Sequence, residues 1–174
     1  MLRTPFIVLL VNALLWMIQA QLNHYISPWN ISIFVGGLAV AFCSLRLSYR
    51  EGLRALLLTG LWFDAATPVP FGLHAFLFLL CQALVFTFRS RLAREETMVG
   101  MIIAAATNLG MMFAMAIGLM HRSPAPLQQL PRLIADSLVS FCVVMLIAGW
   151  SFKLQEQTLE IAGVSLRREQ RGVV

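Results

Sequence analysis

Two carboxylates stand where carboxylates are costly. Asp64 and Asp136 each interrupt an apolar run, and an ionisable side chain in such surroundings points to a partner or a function. His74 follows Asp64 by ten residues, and Arg132 precedes Asp136 by four. An Asp–His pair can orient an imidazole for proton transfer. An Arg one helical turn from an Asp can form an ion pair. Neither set comes with a nucleophile, and the chain has no Gly-rich phosphate loop, HExxH, GxSxG or Ser/His/Asp constellation. The chemistry on offer is binding, not turnover, with no cofactor. Cys43, Cys81 and Cys142 fall in separate apolar runs without a CxxC or Cys/His cluster. They read as small hydrophobes, and neither a disulfide framework nor a metal site is expected.

Each aspartate also has a purely structural reading. Asp136 falls near a helix start, where the macrodipole stabilises an anion. Asp64 falls near a helix end, where it does not. Asp64 therefore needs a cationic or donor partner, or an Asx-type turn over 64–67 whose backbone amides it accepts. The first alternative predicts that Asp64 and His74 meet on a hairpin, with Gly72 permitting close packing at its start.

The elements that must position these residues are apolar runs at 5–20, 28–47, 53–66, 71–88, 98–120 and 131–152. Most are near the length of about 20 residues that a membrane-crossing helix needs. The run at 53–66 is short and must draw in flanking residues. Pro68 and Pro70 end it. Arg3 and the run at 5–20 resemble a secretory leader, but Ile18-Gln19-Ala20 lacks a cleavage pattern, so the run reads as a retained first helix. Residues 155–174 form a mixed-charge tail whose first part, 155–160, continues the last helix.

Composition agrees. Of 174 residues, 59% are hydrophobic and only 12% charged, against roughly 25% charged in an average soluble domain. Mean hydropathy is +0.79. The expected fold is an all-α integral membrane protein, a six-helix transmembrane bundle, with no separate soluble domain. The net charge of +5 belongs to segments between runs and speaks for topology and lipid, not nucleic acid. Twelve of the thirteen basic residues are Arg, which suits phosphate contact at a lipid surface. With six crossings, eleven basic residues share one side with both termini and two, Arg122 and Arg132, lie opposite. The bias sets both termini in the cytoplasm. Trp16, Trp29, Trp62 and Trp150 fall near the expected span ends.

Ala106, Gly110, Ala114 and Gly118 recur every four residues in the fifth run. Such a stripe lets helix backbones approach closely, either within the bundle or against a partner's helix. Gly37 and Ala41 make a shorter version in the second run.

The stretch from Gly60 to Leu79, GLWFDAATPVPFGLHAFLFL, resembles the signature of the bacterial rod shape-determining protein MreD family. Gly60, Asp64, Pro70, Gly72 and Leu73 match it, and Arg89, Arg91 and Arg94 supply its basic end. Trp62 and the extra Pro68 depart from it. The signature covers about twenty residues, and the remainder is similar in length and hydropathy. The resemblance implies a non-enzymatic component of the cell-elongation complex in the bacterial inner membrane. Implied partners are an MreC-like protein, the actin-like MreB, the glycosyltransferase RodA and a penicillin-binding transpeptidase. It also implies a fold similar to the S components of energy-coupling-factor transporters. With six crossings Asp64, His74, Arg132 and Asp136 are expected in one ionisable cluster in the outer third of the membrane, and the transporter relation supplies the alternative function, capture of a small vitamin at that cluster.

Overall fold

The computed structural model describes residues 3–91, 97–120 and 126–164. Arg94, Arg122 and the tail arginines Arg167, Arg168 and Arg171 lie outside the described residues. Six α-helices form: α1 (Arg3–Ile26), α2 (Gly36–Arg46), α3 (Tyr49–Ala66), α4 (Leu73–Phe88), α5 (Thr97–Met120) and α6 (Leu130–Ile161). No strand occurs among the described residues. Three helices, α1, α5 and α6, are long and apolar enough to cross a membrane, and α2 and α4 are shorter apolar helices.

The second apolar run is not one helix. A 3-10 turn covers Ser27–Trp29, residues 31–35 are non-helical, and α2 spans only Gly36–Arg46. Asn30 closes the turn in the left-handed region at φ 55°, which Asn tolerates better than most residues. Every residue from Gly36 to Leu45 is buried. The sequence GGLAVAFCSL is small or apolar all round, and a helix of that kind belongs in a core, not at a boundary. Helices α3, α4, α5 and α6 all pack against it.

Close approach is concentrated where the chain has glycine. A Cβ on Gly37 would overlap the carbonyl of Ala104 and the Cβ of Asn108, seating α2 directly on α5. A Cβ on Gly60 would overlap the Cα of Ala75, seating α3 on α4. The α3–α4 hairpin is antiparallel, with Gly60 level with Ala75 and the Tyr49 ring 4.9 Å from that of Phe86. Helices α1 and α3 are parallel, with Asn12 bonded to Thr59 and Trp16 edge-on to Phe63.

Several expectations change. α3 does draw in flanking residues and starts at Tyr49. α1 continues two turns past residue 20, so Trp16 sits mid-helix rather than at an end. α6 extends to Ile161 and buries Gln155 and Leu159, so the first turns of the tail belong to the bundle. Cys43 is buried, but Cys142 is exposed. The stripe of Ala106, Gly110, Ala114 and Gly118 does not pack within the bundle: all four are exposed, and nothing lies within 4 Å of a Cβ placed on Gly110 or Gly118. The opposite face of α5, with Ala104, Ala105, Asn108 and Met111, faces the core.

Candidate functional site

Asp64 ends α3 and reaches across the hairpin to the start of α4. Its Oδ1 accepts the backbone N–H of His74 at 2.9 Å, and its Oδ2 accepts that of Ala75 at 3.2 Å. Nδ1 of His74 also meets Oδ1 at 2.9 Å. A carboxylate only accepts, so the proton of this bond sits on Nδ1. Asp64 thus stands at the unfavourable end of its own helix and the favourable end of the next. The positive N-terminus of α4 and two of its unpaired amides supply what the C-terminus of α3 denies. The Asx-turn reading is corrected: the amides come from His74 and Ala75, not from 66 or 67. Thr67 closes its own turn by donating to the carbonyl of Phe63 at 2.7 Å.

The turn is built for this arrangement. Pro70 accepts the N–H of Leu73 at 3.1 Å. Gly72 adopts φ +95°, a conformation that L side chains rarely take. Nothing lies within 4 Å of a Cβ built on it, so the expected close packing at Gly72 gives way to a backbone requirement. Gly60 is the position of close packing.

Asp64 and His74 are 4% and 3% exposed. The imidazole is boxed by the rings of Phe63, Phe34 and Phe78, with centroids at 5.7, 6.0 and 6.3 Å. Among the described residues no hydroxyl or thiol hydrogen-bonds the imidazole. The geometry supplies an orienting pair without a nucleophile. No group of three or more His, Cys, Asp or Glu among the described residues could hold a metal ion.

Asp136 belongs to a second network. Its Oδ1 accepts the N–H of Ser32 at 2.8 Å and its Oδ2 the hydroxyl of Ser32 at 2.9 Å. Arg132 approaches Oδ2 only to 3.8 Å and is 59% exposed. The expected ion pair is therefore a minor contact, worth little at an exposed site, and Ser32 is the main partner. The same pattern runs along the non-helical segment. Ile33 exchanges two bonds with the amide of Asn23, at 2.7 and 2.8 Å. The N–H of Phe34 donates to Ser140 at 3.0 Å, and that of Val35 to Gln19 at 3.1 Å. Asn108 donates to the carbonyl of Phe34 at 2.8 Å and accepts the N–H of Gly37 at 3.0 Å.

Four consecutive backbone amides, 32 to 35, are thus each met by a side chain of α1 or α6. A buried backbone group left unpaired is costly, and in lipid irregular backbone survives only where protein satisfies it. Gln19, Asn23, Asn108, Ser32 and Ser140 were not singled out in the sequence. The available signal was a set of uncharged amides in or just beyond apolar runs, two of them, Gln19 and Asn23, one turn apart.

The expected single cluster is therefore two networks at one end of the bundle. Phe34 connects them: its N–H bonds Ser140 on α6, and its ring lies against His74 on α4. Gly60, Asp64, Pro70, Gly72 and His74 come together; Arg132 and Asp136 stand apart from them, and the α5 stripe faces outward. A scan against family models, a search of curated proteins and a search of solved structures each return no match.

Proposed function

We propose that this protein is a non-enzymatic, six-span component of the bacterial inner membrane, of the MreD type, and that it serves the cell-elongation complex by positioning a partner's transmembrane helix. The observation that carries the reading is the outward-facing stripe Ala106, Gly110, Ala114 and Gly118. Small residues on a membrane-facing helix surface allow a second backbone to approach. The implied partners are an MreC-like protein, the glycosyltransferase and the transpeptidase of peptidoglycan elongation. The resemblance of 60–79 to the family signature supports the assignment, and Gly60, Asp64 and Gly72 each have a definite structural task within it. The vitamin-binding alternative asks for polar side chains free to meet a ligand. Here Asp64, Asp136, Asn23 and Asn108 spend their bonds on the protein's own backbone, which favours the scaffold.

The test is Gly110→Leu and Gly118→Leu. Both positions have room for a side chain, so folding and membrane abundance are expected to stay within about 0.5 kcal/mol of the parent, as for other surface changes. Co-purification with the elongation proteins is expected to fall by tenfold or more, on the order of a 1.4 kcal/mol loss, with loss of rod shape. Normal complex recovery with both variants would defeat the reading.

Orientation is a separate expectation. Of the eight described Arg and Lys residues, only Arg132 lies at the end that holds the two networks. The reading places the basic end, with both termini, in the cytoplasm. Single cysteines at 48 and 90 are expected to resist a membrane-impermeant thiol reagent in intact cells and to react after permeabilisation. Labelling of either in intact cells would reverse the topology.

A further inference from the structure

Arg50 and Arg54 stand one turn apart on α3, both exposed. Their face is opposite the buried set Gly52, Ala55, Leu56, Thr59 and Phe63. The two positions are about 6 Å apart along the axis, and Leu57, exposed, continues the same face one turn on. The ion pairs among the described residues are Arg46–Glu156, Arg132–Asp136 and the His74–Asp64 contact. Arg50 and Arg54 take part in none. Glu51, their sequence neighbour, is partly buried, with its Oε2 turned inside and bonded to neither. Arg46 and Arg89, by contrast, are used by the fold: one pairs with Glu156 at 3.0 Å and the other donates to the carbonyl of Leu47 at 2.7 Å.

Among the described residues no acidic side chain pairs with these two permanently charged forks, and the surface that carries them continues into apolar residues. We infer that Arg50 and Arg54 form a site for the headgroup phosphate of an anionic phospholipid, whose acyl chains lie along the α3–α4 surface. The inference rests on the membrane reading above but not on the partner-helix reading. Guanidinium matches phosphate oxygens in paired hydrogen bonds. The neighbouring α4 carries Leu80, Leu84 and Phe88 on its exposed side, an apolar track for a chain. Arg91, also exposed, follows the last turn of α4 and lies beyond the level of Tyr49 and Phe86, adding a cation nearer the aqueous edge. A net-negative headgroup is favoured over a zwitterionic one, because an attached ammonium would meet the same positive charge.

The experiment uses the full chain, purified and stripped of lipid in detergent, with phosphatidylglycerol or phosphatidylcholine added and retention read by native mass spectrometry. A basic group near an anionic surface contributes about fivefold in affinity. Arg50→Gln/Arg54→Gln is therefore expected to lower phosphatidylglycerol retention by about twenty-fivefold. The charge-matched Arg3→Gln/Lys153→Gln, whose residues are also exposed, should change it less than twofold. Equal losses in the two double variants would reduce the site to a diffuse field and overturn it. So would equal retention of phosphatidylcholine by the parent chain, or displacement of the lipid by excess inorganic phosphate. A photo-crosslinking phosphatidylglycerol provides a readout on the unmodified chain: crosslinks are expected over 49–57, and their confinement to other helices would also overturn the proposal. Neither readout involves a partner protein, so its failure leaves the α5 test standing.

Discussion

Asp64→Ala is expected to destabilise the folded chain by about 3–9 kcal/mol, the cost of leaving three buried hydrogen-bonding groups unpaired at about 1–3 each. The change unpairs two backbone amides at the start of α4 and the imidazole Nδ1 together. The imidazole is enclosed by Phe34, Phe63 and Phe78, and Asp64, His74 and Ala75 are all buried. Asp64→Asn is the instructive companion. It keeps the shape, but one of its two terminal atoms becomes a donor and must face an N–H. One bond is lost and one donor left buried, so the expected cost is about 1–3 kcal/mol. Unfolding in a mixed-detergent titration, followed by tryptophan fluorescence, should rank parent, Asn and Ala in that order. An Ala variant as stable as the parent would show that Asp64 does not hold the α3–α4 hairpin. The ranking matters for function as well. Loss of rod growth with Asp64→Asn speaks for a charge-dependent partner only if the protein's membrane abundance is unchanged.

The hairpin was legible in the sequence because every part of it is local. Pro68 and Pro70 stop a helix, Gly72 turns the chain, and ten residues separate Asp64 from His74. The misplacement of Asp64 relative to its own helix dipole already demanded a donor partner, and the hairpin provides one. The outward course of the α5 stripe was not legible. A small residue every fourth position has the same period whether it faces a neighbour or the outside, and only the competing face decides. That face carries Asn108, which the core needs, so Gly110 and Gly118 are turned away.

The break in the second run was hidden for a different reason. Residues 31–35 are as apolar as a membrane helix, and nothing in SIFV forbids one. What favours the non-helical path is a set of side chains up to 106 positions away in the chain. A charged residue inside an apolar run announces its need for a partner. Uncharged amides carry the same message at lower cost, since a buried Asn or Gln also needs partners.

Asn108 makes the strongest case for that message, and Asn108→Leu is the second large effect expected. Its side chain is fully buried and holds two backbone groups at once, the carbonyl of Phe34 and the N–H of Gly37. Leucine is close in size, so packing loss is small and the cost is that of two orphaned groups, about 2–6 kcal/mol at about 1–3 each. Gln19→Leu removes a single bond, to the N–H of Val35, and is expected to cost about 1–3 kcal/mol. Asn108→Asp separates the two bonds: one carboxylate oxygen still accepts from Gly37, while the other meets the carbonyl of Phe34, acceptor against acceptor. It should be at least as harmful as leucine. Hydrogen exchange supplies the local readout. The amide of Gly37 should lose protection in Asn108→Leu and keep more of it in Gln19→Leu. If Asn108→Leu unfolds within about 0.5 kcal/mol of the parent, as an ordinary surface substitution would, the segment is not held by its side-chain clasps. The seating of Gly37 against Ala104 would then be the main constraint on where α2 begins.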